Sequence, residues 1–268
     1  MAEAKWYHEW FGSPYYHKLY WERDEEEAEV FIARLAEHLR IPPGSRILDL
    51  GCGKGRHSRV LATMGHQVTG IDLSPENIEF AKRFENENLE FYVHDLRLPF
   101  RTNYFDFAFN FFTSFGYFGT RREHEDAIRT ISNGLKPGGI LVMDYLNTHY
   151  TEHHLVPKEE IRQNGTLFSI RRWDDDSHFY KKISITDPEL PESLTFTEQV
   201  AKFNLGDFTD MFSFQGLQVT EVFGNYGFGP YDITRTPRLI LIARKKKNEA
   251  DDSSKRLYSD GRPGDALT

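Results

Sequence analysis

Cysteine is almost absent. Cys52 is the single one in 268 residues, so no disulfide can form within the chain and a reducing, cytoplasmic setting is expected. Long apolar runs are missing too: no stretch approaches the roughly 20 residues of a membrane span, and no membrane partner is expected. The opening Met-Ala-Glu-Ala-Lys lacks the apolar segment of a secretory signal. Positive charge is scarce, with 33 Lys and Arg against 41 Asp and Glu and a net charge of −8. Wrapping a nucleic acid needs clustered cations, so a polyanionic partner is disfavoured. The one basic run, residues 244–247, reads as a solvated flank. No internal repeat occurs. His149, His153 and His154 lie close in sequence but lack the acid and cysteine pattern of a metal site, so no metal is expected. Aromatic residues, by contrast, are plentiful at 15%, with 22 Phe and 13 Tyr. They suit a packed core or a ring-lined pocket equally. Hydrophobic content of 39% is enough for one sizeable core.

The densest information lies in Ile47-Leu-Asp-Leu-Gly-Cys-Gly-Lys-Gly-Arg-His57. An apolar strand ends at Asp49, and glycines follow at Gly51, Gly53 and Gly55 before a helix. Glycine is needed where the backbone turns sharply or a ligand must come close. The dinucleotide fingerprint requires a third glycine at Arg56, a bulky charge, which argues against a nicotinamide cofactor. Residues 67–71 read as a second strand ending at Asp72, residues 89–93 as a third closed by Asp95, and residues 105–110 as a fourth. The Leu-Lys-Pro-Gly-Gly of residues 135–139 reads as a turn before a fifth strand, 140–145.

These motifs, in this order, resemble the class I S-adenosylmethionine-dependent methyltransferases over about residues 25–246. The resemblance implies S-adenosylmethionine as cofactor, held by Asp49, Gly51, Cys52, Gly53, Asp72, Leu73, Asp95, Leu96 and Asn110. In that family the acid after the second strand meets the ribose hydroxyls. The acid after the third meets the adenine amino group, and the next residue lies along the ring. The segment after the fourth strand, Asn110 to Phe118, lacks the paired prolines of amino-group methylators of DNA and protein. It is similar instead to small-molecule N-methyltransferases, which also carry an antiparallel insertion after the fifth strand. Phe115 and Tyr117 are then expected at the acceptor. Metal-dependent catechol methylators carry an acid where Asn110 stands. The expected reaction is methyl transfer to nitrogen or oxygen of a small molecule. An RNA- or protein-modifying enzyme and a non-catalytic cofactor-binding regulator are the alternatives.

The fold expected is α/β: a Rossmann-like, doubly wound, mostly parallel seven-stranded sheet with an antiparallel last strand, plus an antiparallel β insertion. The chain divides into a cap segment 1–23, a core of 24–150 and 204–247, the insertion 151–203, and a disordered polar tail 248–268. Residues 5–20 are read as one or two short helices over the cofactor site. Three strands are read in the insertion, at 166–173, 179–186 and 194–203. Its Arg171 and Tyr180, with Tyr226 from the loop before the last strand, are expected to touch the acceptor as a lid closes over it. Tyr145, Asn147 and His149 gather at the end of the fifth strand and are the catalytic candidates. A monomer or homodimer is expected.

Overall fold

A computed structural model describes residues 6–20 and 25–247. The proposed tail, 248–268, lies outside them, as do residues 1–5 of the cap. Two short helices come first, α1 (Trp6–Phe11) and α2 (Pro14–Leu19). Ser13 caps α2 by accepting a hydrogen bond from the Tyr15 amide, with Pro14 at its first position. Helix α3 (Glu25–Leu39) buries Phe31, Ile32 and Leu35, one stripe of a 3.6-residue period.

The core then alternates strand and helix: β1 (Arg46–Leu50), α4 (Arg56–Thr63), β2 (Gln67–Asp72), α5 (Pro75–Ala81), β3 (Leu89–Val93), β4 (Phe105–Asn110), α6 (Arg121–Gly134) and β5 (Leu135–Leu146). Ser74 caps α5 through the Asn77 amide, as its Ser-Pro start predicts. A short helix α7 (Thr148–His153) leads to four strands, β6 (Lys158–Gln163), β7 (Thr166–Asp174), β8 (His178–Thr186) and β9 (Leu194–Ala201). Helix α8 (Leu205–Phe214) and strands β10 (Leu217–Phe223) and β11 (Arg238–Lys245) complete the chain.

Seven strands form one sheet in the order β10-β11-β5-β4-β1-β2-β3. Strand β11 runs antiparallel to β5 and β10; the pairs from β5 to β3 are parallel. Both faces are covered, so the central strands carry apolar residues on both sides of the sheet. Alternate residues serve different cores. Leu141, Met143 and Tyr145 join one cluster with α6 and α8, while Ile140 and Val142 join the other with α3 and α4. The 135–139 segment, read as a turn, is absorbed into β5. Phe105 pairs with Leu135 and Phe107 with Ile140, so the extra residues bulge.

The insertion is a separate antiparallel sheet in the order β6-β7-β8-β9. It has one strand more than expected, β6, whose edge is charged and largely exposed. Asn164 and Gly165, with φ of 46° and 83°, make the two-residue turn into β7. The sheet packs Phe168, Ile170, Ile183 and Ile185 against Trp10 of α1, giving a third core. None of the helices among the described residues is long and apolar enough to cross a membrane.

Candidate active site

The floor is built where β1, β2 and β3 end. The amides of Gly51 and Cys52 both donate to the Ile71 carbonyl, at 2.8 and 3.0 Å, folding the loop across β2. Gly51 is left-handed with φ 71°, and a Cβ there would lie 2.7 Å from that of Ser114. At Gly53, also left-handed, a Cβ would meet no protein atom within 4 Å. Asp49 is buried and accepts a 2.5 Å bond from Ser58 Oγ. Burial pushes its carboxyl up to about 6, aided by the charge of Asp72 and opposed by the Ser58 bonds. Asp72 accepts from the amides of Gly53 and Ser74, each at 2.9 Å, and burial still raises its pKa. Asp95 is held by Arg97, which donates from Nε at 3.0 Å and also pairs with Glu123.

One wall is the loop after β4. Asn110 is fully buried, with Nδ2 donating to the Leu50 carbonyl at 2.9 Å, so it ties β4 to β1. Phe112 and Thr113 are both left-handed, with φ of 53° and 59°, a costly conformation for side chains of this size. Asp144 on β5 holds them there. Its Oδ2 accepts from the Phe112 amide at 2.7 Å and its backbone carbonyl from the Thr113 amide at 3.1 Å. Arg238 on β11 closes the clasp, donating to Asp144 Oδ1 at 2.8 Å and to Thr113 Oγ1 at 2.9 Å. Tyr226 adds a 3.1 Å bond to the same carboxylate. His57 stacks on the Phe112 ring, 5.2 Å between centroids.

The roof comes from segments far apart in the chain: α1, α2 and β9. His17 Nε2 meets Asn77 Oδ1 at 2.9 Å, and Asn77 Nδ2 donates to the Phe11 carbonyl at 3.3 Å, so the N-terminal helices are moored to α5. Burial, with the charge of Lys54, pushes His17 down to about 4 and leaves it neutral at pH 7. On the other side, Trp10 Nε1 donates to Glu198 Oε1 at 2.6 Å, and Lys18 pairs with Asp187 at 3.2 Å.

Floor, wall and roof enclose one cavity of about 730 Å³. It brings together Asp49, Gly51, Cys52, Gly53, Asp72, Leu73, Asp95, Leu96, Phe115 and Tyr117. Other predicted residues lie elsewhere. Asn110 stands behind the cavity, tying two strands. Tyr145 points into the core beneath α8, and its hydroxyl donates to the Ala201 carbonyl at 2.6 Å. Asn147 donates to the carbonyls of Asp232, Ile233 and Thr236, pinning the loop before β11. His149 stacks on His153 along α7. The catalytic trio is therefore not assembled at the cavity: the end of β5 is covered by the chain leaving β9 and by that loop. Arg171 is exposed on β7, and Tyr180 stacks on Trp173 and donates to Asp175 at the hairpin tip. Tyr226 belongs to the Asp144 clasp. Sequence reasoning named none of Tyr7, Phe11, Tyr16, His17, Tyr20, Asn77 and Glu198, all of which line the cavity. Glu198 carried a signal, as the one charge in the strand Leu194–Ala201. Among the described residues no group of three or more His, Cys, Asp and Glu could hold a metal ion.

Residues 48–143 match a family model described as a methyltransferase domain. This stretch is a methyltransferase domain. The fold agrees: a solved S-adenosylmethionine-dependent methyltransferase from Clostridium acetobutylicum superposes with a TM-score of 0.73 at 17% identity, over 87% of this chain and 96% of that one. Among curated methyltransferases, the cypemycin N-terminal methyltransferase of a Streptomyces species is 29% identical over 218 residues, 75% of this chain and 84% of its own. The arsenite methyltransferase of Aquipseudomonas alcaligenes is 28% identical over 185 residues, 61% of this chain, which spans only 51% of that relative. The residues present fit the cofactor of this methyltransferase family. Buried Asp49 and half-buried Asp72, both with raised pKa, face the cavity, which suits a cationic ligand bearing hydroxyls, and Gly53 leaves open space for its close approach.

Proposed function

We propose that this methyltransferase acts on nitrogen or oxygen of a small molecule. The observation that carries the reading is the cavity of about 730 Å³ in which a carboxylate-lined floor meets a roof of rings. That volume is in the range of sites for small ligands. S-adenosylmethionine supplies an electrophilic methyl group on a positively charged sulfur, whose departure needs no proton. The enzyme's work is then positioning and exclusion of water. Asp72 receives the ribose hydroxyls, Asp95 and Leu96 the adenine, and Leu73 packs beside it. Gly51, Cys52 and Gly53 let the backbone approach the amino-acid end, with Asp49 supplying negative charge there. Phe115 and Tyr117 form the acceptor wall, and Asn110 positions rather than binds.

An RNA or protein acceptor is the weaker reading. The chain is acidic, and the cations lining the cavity, Lys54, Arg56 and Arg59, belong to the cofactor loop and α4. The test is methyl transfer from labelled S-adenosylmethionine into a cell extract fractionated by size. Label in small molecules supports the proposal; label confined to RNA or protein overturns it.

A further inference from the structure

The groups lining the cavity sort by charge. Its lysine and arginines all come from residues 54–59. Asp49, Asp72 and Asp95 stand at the ends of β1, β2 and β3, where the cofactor fits. Among the described residues the roof supplies rings and one carboxylate, Glu198, and no lysine or arginine of the roof lines the cavity. The rings form a continuous shelf: Phe11 lies 5.1 Å from Tyr16 and 5.2 Å from Tyr117, and Tyr16 lies 4.8 Å from Tyr20, between centroids.

Glu198 is held but not saturated. Its Oε1 accepts from Trp10 at 2.6 Å and from Tyr20 at 3.3 Å. Among the described residues the nearest cation to Oε2 is Lys181 Nζ at 3.8 Å, too far for a hydrogen bond, and Lys181 donates instead to the Tyr20 hydroxyl. Lys181 itself does not line the cavity. A fixed carboxylate with one oxygen open, beside ring faces, recognises a cation through a charge-assisted hydrogen bond and cation–π contact. It repels a carboxylate or phosphate and gives a neutral hydroxyl one weaker bond.

We propose that the acceptor carries a primary or secondary amine, received as ammonium by Glu198 Oε2 and the rings of Phe11, Tyr16 and Tyr117; the ammonium passes one proton to that carboxylate, and the freed nitrogen lone pair takes the methyl group as the C–S bond breaks and S-adenosylhomocysteine leaves. This selectivity rests on the small-molecule reading above. It explains a half-buried acid in the middle of an otherwise uncharged strand. The experiment uses the full chain, methyl-labelled S-adenosylmethionine and the small-molecule fraction of a cell extract. One portion of that fraction is first treated with an amine-selective acylating reagent, which removes both charge and nucleophile. Label incorporated into the untreated portion should fall at least about tenfold in the acylated one. Glu198→Gln should lower incorporation at limiting acceptor by at least about tenfold, with the Kd for S-adenosylhomocysteine unchanged. Label that survives acylation, or is indifferent to Glu198→Gln, overturns the amine assignment while leaving the small-molecule reading intact. No label in the untreated portion strikes down both.

Discussion

The floor and the roof of the cavity are made in opposite ways. The floor uses residues 49–96, nearly contiguous in sequence, each fixed by the end of a strand and by backbone hydrogen bonds. The roof joins segments far apart: the Trp10–Glu198 bond spans 188 residues. The floor holds its carboxylates in strained burial, with Asp49 raised to about 6. The roof holds its carboxylate with an indole N–H. A common cofactor can be served by a local, repeatable device. A particular acceptor needs surfaces that the sheet does not supply, so they are brought from outside it.

The contrast can be broken first at the wall between the two. Asp144→Ala should cost roughly 3–5 kcal/mol, because it leaves Arg238 without its buried partner and releases two left-handed residues. Chemical denaturation measures it, and a loss below about 1 kcal/mol would remove the clasp from the account. Asp72→Ala should weaken S-adenosylhomocysteine by roughly 3 kcal/mol, about 150-fold in Kd, with the fold retained. Calorimetry reads this directly. Trp10→Phe keeps the ring and loses the donor to Glu198. It should lower stability by about 1.5–3 kcal/mol and slow acceptor turnover, yet leave cofactor Kd alone; a changed cofactor Kd would show that floor and roof are not separable.

The pH dependence is specific to the floor. The Asp49 carboxyl is raised in the fold, so its ionised form costs stability above about 6, and the ligand-free protein should gain stability as pH falls through that value. Cofactor affinity should move the other way, weakening by up to about tenfold per unit below pH 6 as a proton competes for the carboxylate. Chemical denaturation of the ligand-free protein and titration of cofactor Kd, each between pH 7 and about 5, test the two signs. The smallest effect is expected at the insertion's outer face. Arg171→Ala and Tyr180→Phe should leave turnover within about twofold, since neither side chain lines the cavity.

What could be read from the sequence follows the same division. Gly51, Gly53, Asp72 and Asp95 announce themselves because a glycine turn or an acid at a strand's end has a local cause. The doubly wound sheet followed from alternating periods of apolar residues. Tyr145 and Asn147 misled because period-two alternation says which residues share a face, not which face meets solvent. Both turned to the side covered by the chain after β9 and the loop before β11. Strand β6 was missed because its Lys-Glu-Glu-Ile-Arg-Gln has too little apolar alternation, although the Asn164-Gly165 turn beside it was a usable sign. Glu198 stands out locally only as the lone charge of its strand, and nothing local says what it or the tyrosines of α1 and α2 face. Their meaning arises only when two distant segments meet.

That distance has a consequence during synthesis. Helices α1 and α2 are six residues each, too short to persist alone in water. Their packing surface, Phe168 to Ile185, leaves the ribosome long after them. At the usual pace of elongation, 188 residues separate Trp10 from Glu198 by roughly ten to forty seconds. For that interval the nascent chain carries Trp10, Tyr16 and Tyr20 without the insertion strands they pack against. The floor residues, 49–96, are all made while the rings of the roof still wait, so the newborn chain is at its stickiest before its second sheet exists.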